Sequence, residues 1–171
     1  YNFIAPREQF IEGMVSYFPG TEEKMRRYIQ KVDEAVKSGQ SYFANKAHPE
    51  WLGNITYKSM TKKYFSHSDY TTRDTIMNIF NDEKILGVLT GQWGDHGLPP
   101  SQSSFSMHAM VVRHYLDGGN YPIGSSRRIA ETIVDYLESM GSNVYVSAGI
   151  DSIITHKGKA IGVRLEKGEE V

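Results

Sequence analysis

The sequence contains no cysteine, few prolines and no excess of charge of either sign. Without cysteine, disulfides, thiolate nucleophiles and cysteine-bound metals are excluded, which is compatible with a reducing compartment. The 19 Lys and Arg residues balance 20 Asp and Glu residues and are scattered among them. The sequence therefore has no cluster of basic residues that would predict a nucleic-acid partner. No apolar run approaches the roughly 20 residues that span a bilayer. We expect a globular chain, with the cytoplasm as its default location.

Both ends of the chain resemble internal sequence. The chain starts at Tyr1 without an initiator methionine, and residues 167–171 form a turn that leads toward what resembles a strand. Its 171 residues are enough for one domain or slightly more. We therefore expect a segment of a longer protein, in which motifs absent here lie elsewhere.

Apolar residues recur at helical spacing in the first part of the chain. A first helix is predicted to start near Pro6 and to end before Pro19. A second is predicted to start after Thr21, a possible N-cap, and to end at Gly39. The aromatic-rich stretch that follows has no sustained period, so it predicts only a short helix near residues 56–64.

Residues that cap helices indicate the next three elements. Thr71 with Asp74 resembles a capping box, and Asp82 can cap a second short helix directly afterwards. A longer helix is predicted over residues 103–116, ending at the glycine pair that starts with Gly118.

The last third of the chain predicts a helix and then a small sheet. The helix follows a turn over residues 118–126 and ends at Gly141. A hairpin turn is predicted at residues 156–159. Three short runs have the composition of strands: residues 144–146, 150–155 and 160–165. The predicted class is α+β, mostly helical, with a boundary near Gly118 between residues 1–117 and 118–171.

Histidines and a glycine-rich loop are the candidate chemical groups. His108 and His114 lie on one predicted helix but point roughly 120° apart, so we do not expect them to share a metal ion, and no metal site is expected. Asp95 and His96 are adjacent in a loop and by themselves define no acid–base geometry. The loop over residues 118–126 could bind phosphate at a helix N-terminus, but it lacks a preceding strand. The residues alone indicate an α+β chain in which these histidines are most simply packing or surface residues.

A block of motifs resembles the retinol saturase and phytoene desaturase-like flavoproteins. The motifs are Ser-Phe-Ser-Met-His-Ala-Met at 104–110, Gly-Gly-Asn-Tyr-Pro-Ile-Gly at 118–124 and Gly-Lys-Ala-Ile-Gly-Val at 158–163. The resemblance covers residues 85–171. It departs from the family pattern at Ser125, where the family has a second glycine, although serine could still cap the following helix.

The resemblance implies a segment excised from a larger FAD/NAD(P)-binding, Rossmann-like flavoprotein. Residues 1–117 would be the helical substrate-binding insert, and residues 118–171 would return toward the FAD-binding domain. The bound FAD would carry the hydride chemistry, with NAD(P) as a further cofactor. The expected FAD contacts are Ile150, Tyr121, Pro122 and Gly124, and the expected substrate contacts are Met107, His108 and Tyr121.

The implied reaction saturates or desaturates carbon–carbon bonds of an apolar polyene, and catalytic side chains are not assigned. An apolar substrate also implies transient contact with a membrane by a peripheral protein. One alternative is a flavoprotein of the same fold that binds or isomerises an isoprenoid without net redox turnover. The other alternative is a helical interaction module, in which the hairpin is incidental.

Overall fold

The computed structural model describes all of residues 1–171 and is mostly helical, with one antiparallel hairpin. The predicted α+β class is therefore confirmed. The α-helices are α1 (Arg7–Tyr17), α2 (Glu22–Ala47), α3 (Glu50–Ser68), α4 (Thr72–Phe80), α5 (Glu83–Leu89), α6 (Phe105–Tyr115) and α7 (Arg127–Ser139). A 3₁₀ helix covers Trp93–Asp95, and the strands are β1 (Ile150–His156) and β2 (Lys159–Leu165). None of the helices combines the length and the apolar character needed to cross a bilayer.

Backbone contacts divide the chain into unit 1 (Tyr1–Gly119) and unit 2 (Asn120–Val171). Every buried residue, apolar or polar, lies in unit 1. Unit 2 contains α7 and the hairpin and has no buried side chain. The functions assigned above to residues 1–117 and 118–171 remain predictions.

Helix α2 is the centre of unit 1. Its apolar stripe includes Met25, Tyr28 and Val32, each with no exposed surface, at the spacing that places side chains on one helix face. This helix contacts α1, α3, α4 and α6. Because one stripe meets several helices, the core of unit 1 is continuous rather than split into local clusters.

The prediction that the second helix ends at Gly39 is wrong. Helix α2 continues to Ala47, and Gly39 is a buried position within it. A Cβ atom at Gly39 would lie 3.8 Å from the ring of Phe43 and 3.9 Å from the ring of Tyr64. The glycine is therefore a site of close side-chain approach, and not the left-handed residue that ends a helix.

The prediction of a short helix near residues 56–64 is also wrong in extent, because α3 covers Glu50–Ser68. Its aromatic residues are spread around the helix and leave no single apolar stripe to read. Tyr64 stacks on Tyr42 of α2 with 4.2 Å between the ring centroids. Packing of aromatic rings against α2 therefore supports a helix that the periodicity of the sequence does not show.

The predicted caps of α4 and α5 are confirmed. The Thr71 hydroxyl accepts a hydrogen bond from the backbone N–H of Asp74 at 3.0 Å. The Asp82 carboxylate accepts bonds from the N–H groups of Lys84 and Ile85 at 2.8 and 3.0 Å. These side chains satisfy amide groups that have no partner within the helix, so both boundaries could be read from sequence.

The hairpin of unit 2 forms as predicted. Lys157 and Gly158 both have positive φ angles, 49° and 77°, as a two-residue type I′ turn requires. The strand predicted at residues 144–146 is wrong, because the sheet contains only β1 and β2. Instead, Val171 exchanges two backbone hydrogen bonds with Val163, at 2.8 and 3.0 Å. A strand needs a partner edge, and residues 144–146 have none in unit 2.

Candidate functional site

A buried tyrosine–histidine pair joins helices α2 and α6 in the core of unit 1. Tyr28 on α2 has no exposed surface, and His108 on α6 is 3% exposed. The Tyr28 hydroxyl and His108 Nε2 lie 2.8 Å apart and are hydrogen-bonded. Either group can donate, depending on which ring nitrogen carries the proton. The pair satisfies two polar groups that would each be costly to bury alone.

Burial keeps both members of the pair neutral. It lowers the pKa of His108 to about 4, with a smaller contribution from nearby His96, and it raises the pKa of the Tyr28 hydroxyl. Neither group therefore carries charge near neutral pH. A neutral pair can orient side chains without bringing an ion into an apolar region.

Further polar groups lie close to this pair. The His96 ring is perpendicular to the His108 ring, with 6.4 Å between their centroids, and its Nε2 atom is buried without a hydrogen-bond partner. Next to it in the chain, Asp95 accepts a 2.9 Å hydrogen bond from the Tyr115 hydroxyl, which raises the tyrosine pKa. Asp95 at the end of the 3₁₀ helix and His96 directly after it therefore lie beside two polar residues of α6, the surface Tyr115 and the buried His108.

An apolar pocket of about 180 Å³ lies beside Tyr28 in unit 1. Gln92 and Tyr115 add polar groups to its lining, and Gly118 and Ala5 also contribute. Most of the wall is apolar and comes from Phe3, Ile4, Phe10, Leu89, Val112 and Leu116. Because His108 is not part of the lining, the hydrogen bond of Tyr28 is directed to a residue outside the pocket. Tyr28 therefore lines the pocket without offering it a free polar group, because its hydroxyl is already paired.

The structure separates the two unit 1 residues that were predicted to contact substrate. His108 supports the pocket through Tyr28, whereas Met107 is 43% exposed and is not part of the lining. Their assignments as substrate contacts remain predictions. Sequence analysis did not identify Tyr28 as a site residue, because its partner is 80 residues away and no local pattern marks the pair.

The predicted FAD contacts all lie in unit 2. Tyr121 is 73% exposed and Ile150 is 58% exposed, while Pro122 is half-buried. Gly124 has a φ of +91°, and a Cβ atom there would meet nothing within 4 Å. The Tyr121 hydroxyl accepts a 3.3 Å hydrogen bond from the N–H of Ser126. These assignments also remain predictions.

Ser125 does not cap α7, contrary to the suggestion from sequence. Ser126 is the residue before the helix, and no side chain forms a cap hydrogen bond there. Ser125 instead has a φ of 73°, in the left-handed region that favours glycine. Backbone geometry thus gives a physical reason for glycine at this position in the family pattern.

Unit 2 offers exposed surface that a bound FAD could touch, but it encloses no dinucleotide site. Gly124 leaves open space, and Tyr121 and Ile150 are accessible, so these residues can touch a cofactor that other residues hold. The turn before α7 has no preceding strand and therefore lacks the usual strand–turn–helix cradle for a dinucleotide pyrophosphate. The residues of this chain are compatible with flavin contact but do not form a complete flavin site.

The comparisons with known proteins fit the resemblance of the motif block to the retinol saturase and phytoene desaturase-like flavoproteins. Curated relatives confirm the resemblance, although no protein-family model matches the chain. The chain is 28% identical to the all-trans-retinol 13,14-reductase of Danio rerio over 99% of its length and 27% identical to that of Homo sapiens over 100%. It is 25% identical to prolycopene isomerase 1, chloroplastic, of an Oncidium hybrid cultivar over 95%. The chain spans 29% of the length of each of these relatives.

Proposed function

We propose that this chain is the substrate-side part of a flavin-dependent oxidoreductase that saturates or desaturates carbon–carbon bonds of an apolar polyene, such as a carotenoid or retinoid. The apolar pocket beside Tyr28 is the observation that carries the proposal. The relatives named as retinol reductases support it, because the resemblance extends over nearly the whole chain.

The pocket is the proposed site for one end of the substrate. An apolar protein cavity of about 150 Å³ stays dry and binds benzene, so a pocket of about 180 Å³ has room for one small ring or a short branched hydrocarbon end. The remainder of a long polyene would lie outside it. The Tyr28–His108 hydrogen bond holds the ring of Tyr28 in the wall, so its role is positioning.

FAD is the proposed cofactor, and Tyr121, Pro122, Gly124 and Ile150 are the residues of this chain that would touch it. The flavin supplies the hydride chemistry when bound, and NAD(P) is the proposed source of electrons. The residues of this chain orient the substrate and exclude water from it. Collection of an apolar substrate is expected to involve transient contact of a peripheral protein with a membrane.

Further chain is proposed to cover α7. The apolar side chains of Ile129, Ile133 and Tyr136 in this helix, and of Met140 directly after it, are each more than half exposed. A helix of 13 residues is marginal in water without a packed face. Since the relatives are more than three times as long as this chain, a flavin-binding part of a longer polypeptide is the proposed cover.

A second candidate is an isomerase of the same fold that uses the flavin without net redox turnover. The resemblance to a prolycopene isomerase over 95% of the chain favours it. The two candidates differ in whether the substrate changes its hydrogen count. Mass spectrometry of a carotenoid or retinoid incubated with the complete gene product distinguishes them, because isomerisation leaves the mass unchanged.

The first experiment measures flavin absorbance after gel filtration of the complete gene product and of this 171-residue chain. We expect flavin to stay with the complete product and not with the chain, which lacks a complete flavin site. A colourless complete product would contradict the flavin proposal and would leave an apolar-ligand-binding protein as the better description.

Substitution in the pocket tests its role in the active protein. Ala5→Leu places a larger side chain in the pocket wall, and we expect KM for the polyene to rise about tenfold with a smaller change in kcat. The matched control is Ala44→Leu at an exposed position of α2. An unchanged KM for Ala5→Leu would show that the substrate binds elsewhere.

A further inference from the structure

A second cavity of unit 1, which we call the basic pocket, has a different chemistry. It has a volume of about 320 Å³ and lies among α2, the end of α3, α4 and the start of α6. Arg27 and Lys31 line it from α2, while His67 lines it from α3. Apolar residues Ile79 and Phe105 form part of its wall. It shares no lining residue with the apolar pocket beside Tyr28.

The two cations of the basic pocket have no acidic partner. None of the ion pairs in the structure includes Arg27 or Lys31. The adjacent Arg26, by contrast, pairs with both Glu8 and Glu22. Arg27 and Lys31 are four residues apart on α2, so they share one helix face. No Asp or Glu lines the pocket, and its local charge is therefore positive.

His67 adds a buried polar atom that is unpaired. Its side chain is 6% exposed, and its Nδ1 atom is buried without a hydrogen-bond partner. Buried polar atoms in folded proteins nearly always have a partner, so an orphan atom on a residue that lines a pocket indicates a missing one. Burial and the positive charges of Lys31 and Lys63 lower the pKa of His67, against an opposing effect of Glu34.

The remaining polar residues suit a tetrahedral oxyanion. Ser66, Tyr70, Thr75 and Asn78 place hydroxyl and amide groups in the lining. A phosphate group accepts several hydrogen bonds at once, and Arg and Lys are the side chains that most often bind it. The pocket is larger than a phosphate group alone needs, and its apolar wall leaves room for an organic part of the ligand.

We propose that the basic pocket binds the phosphate group of an organic phosphate, through Arg27, Lys31 and His67. The phosphate neutralises the two unpaired cations and supplies the missing partner of His67 Nδ1. The residues of this site differ from the proposed flavin and polyene contacts, because all of them lie in unit 1 and none lines the apolar pocket.

Titration with inorganic phosphate, followed by ³¹P NMR line broadening on the complete gene product, tests the site. We expect saturable binding, weakened about tenfold by Lys31→Gln through loss of one charge-assisted hydrogen bond. The matched control is Lys37→Gln, which removes the same charge from an exposed position of α2. Equal weakening by both substitutions, or the absence of saturable binding, would overturn the proposal.

His67→Phe gives a second test that separates binding from folding. The phenyl ring replaces an unpaired buried polar atom with carbon, so the unfolding temperature without phosphate should be unchanged or higher. Phosphate binding should nevertheless weaken by about threefold or more, as expected for loss of one hydrogen bond. Unweakened binding in this variant would remove His67 from the site and contradict the proposal.

Vesicles identify the source of the phosphate group. Flotation of the protein with vesicles of phosphatidylcholine and phosphatidic acid, but not with pure phosphatidylcholine, would assign a lipid headgroup if Lys31→Gln abolishes it. Phosphate binding without flotation would assign a soluble organic phosphate. Both outcomes support the basic pocket, whereas flotation that is the same in Lys31→Gln and wild type would contradict its role in lipid binding.

Discussion

Helix α2 of unit 1 and helix α7 of unit 2 have similar apolar stripes, but the stripe of α2 is buried and the stripe of α7 is exposed. Met25 and Val32 of α2 have no exposed surface, whereas Ile129 and Ile133 of α7 are 58% and 55% exposed. The difference lies in the surroundings of the stripe, because α2 meets four other helices and α7 meets no partner helix within unit 2. An amphipathic pattern therefore predicts a helix well, but it does not predict what covers the helix.

The largest expected effect comes from the same substitution made once in each unit. Ile76→Ala, at a position with no exposed surface, should lower the free energy of unfolding of unit 1 by about 4 kcal/mol through lost burial and a cavity. Ile133→Ala in α7 should cost about 0.5 kcal/mol or less in the 171-residue chain. Urea unfolding followed by circular dichroism measures both.

The same two substitutions made in the complete gene product test whether further chain covers α7. If further chain covers α7, Ile133→Ala should there cost about 2 kcal/mol or more, while the cost of Ile76→Ala stays similar. An Ile133→Ala effect that is small in both proteins would mean that the apolar face of α7 remains open.

Acid should destabilise unit 1 through His108. Its pKa is about 4 in the folded chain and 6.5 ordinarily, so the unfolded chain binds the proton more readily. Stability is therefore retained above pH 6.5 and lost as pH falls toward 4, by up to about 3 kcal/mol from this residue. His67, with its lowered pKa, acts in the same direction. Unfolding free energies measured across this range should vary less steeply in Tyr28→Phe/His108→Leu, and an identical pH dependence would contradict the assignment to His108.

The Tyr28–His108 hydrogen bond should show coupling between its partners. Tyr28→Phe and His108→Leu each leave the other polar group buried and unpaired, at a cost of about 2 kcal/mol. The double variant removes both polar groups, so it should cost less than the sum of the single variants. Chemical unfolding of the four proteins gives this coupling energy. Simple additivity would mean that the hydrogen bond contributes little.

The smallest expected effect lies in the turn before α7. Ser125→Gly should stabilise unit 2 by about 0.5 kcal/mol, because glycine adopts the φ of 73° without strain. The relief of this strain exceeds the entropic cost of the greater freedom that glycine has in the unfolded chain. Ser126→Gly is the matched control, since Ser126 has an ordinary φ of −58° and should lose a similar amount. Amide hydrogen exchange of α7 reports both changes. Equal destabilisation by the two substitutions would show that the turn is not strained.

Elements with a local physical cause could be predicted from the sequence. The caps at Thr71 and Asp82 act within three residues, and the Lys157-Gly158 turn sets the hairpin by itself. The family resemblance likewise rests on contiguous motifs, and the curated relatives confirm it.

Elements that depend on distant partners could not be predicted. Gly39 reads as a helix end, yet Phe43 and Tyr64 pack against it within a longer helix. Residues 144–146 read as a strand, but no edge in unit 2 pairs with them. In the first case, contacts with distant residues override the local preference for a helix end. In the second case, the local preference for a strand is not enough without a partner.

By itself, the sequence determined the α+β class, the helix caps, the hairpin and the family resemblance, because each is encoded within a short stretch of chain. Only the tertiary structure decided which polar groups meet inside unit 1. Tyr28 and His108 are 80 residues apart, and the basic pocket joins Arg27 to His67 and Asn78. Folding brings these groups together through the shared core, and no local pattern in the sequence records which residues face each other across it.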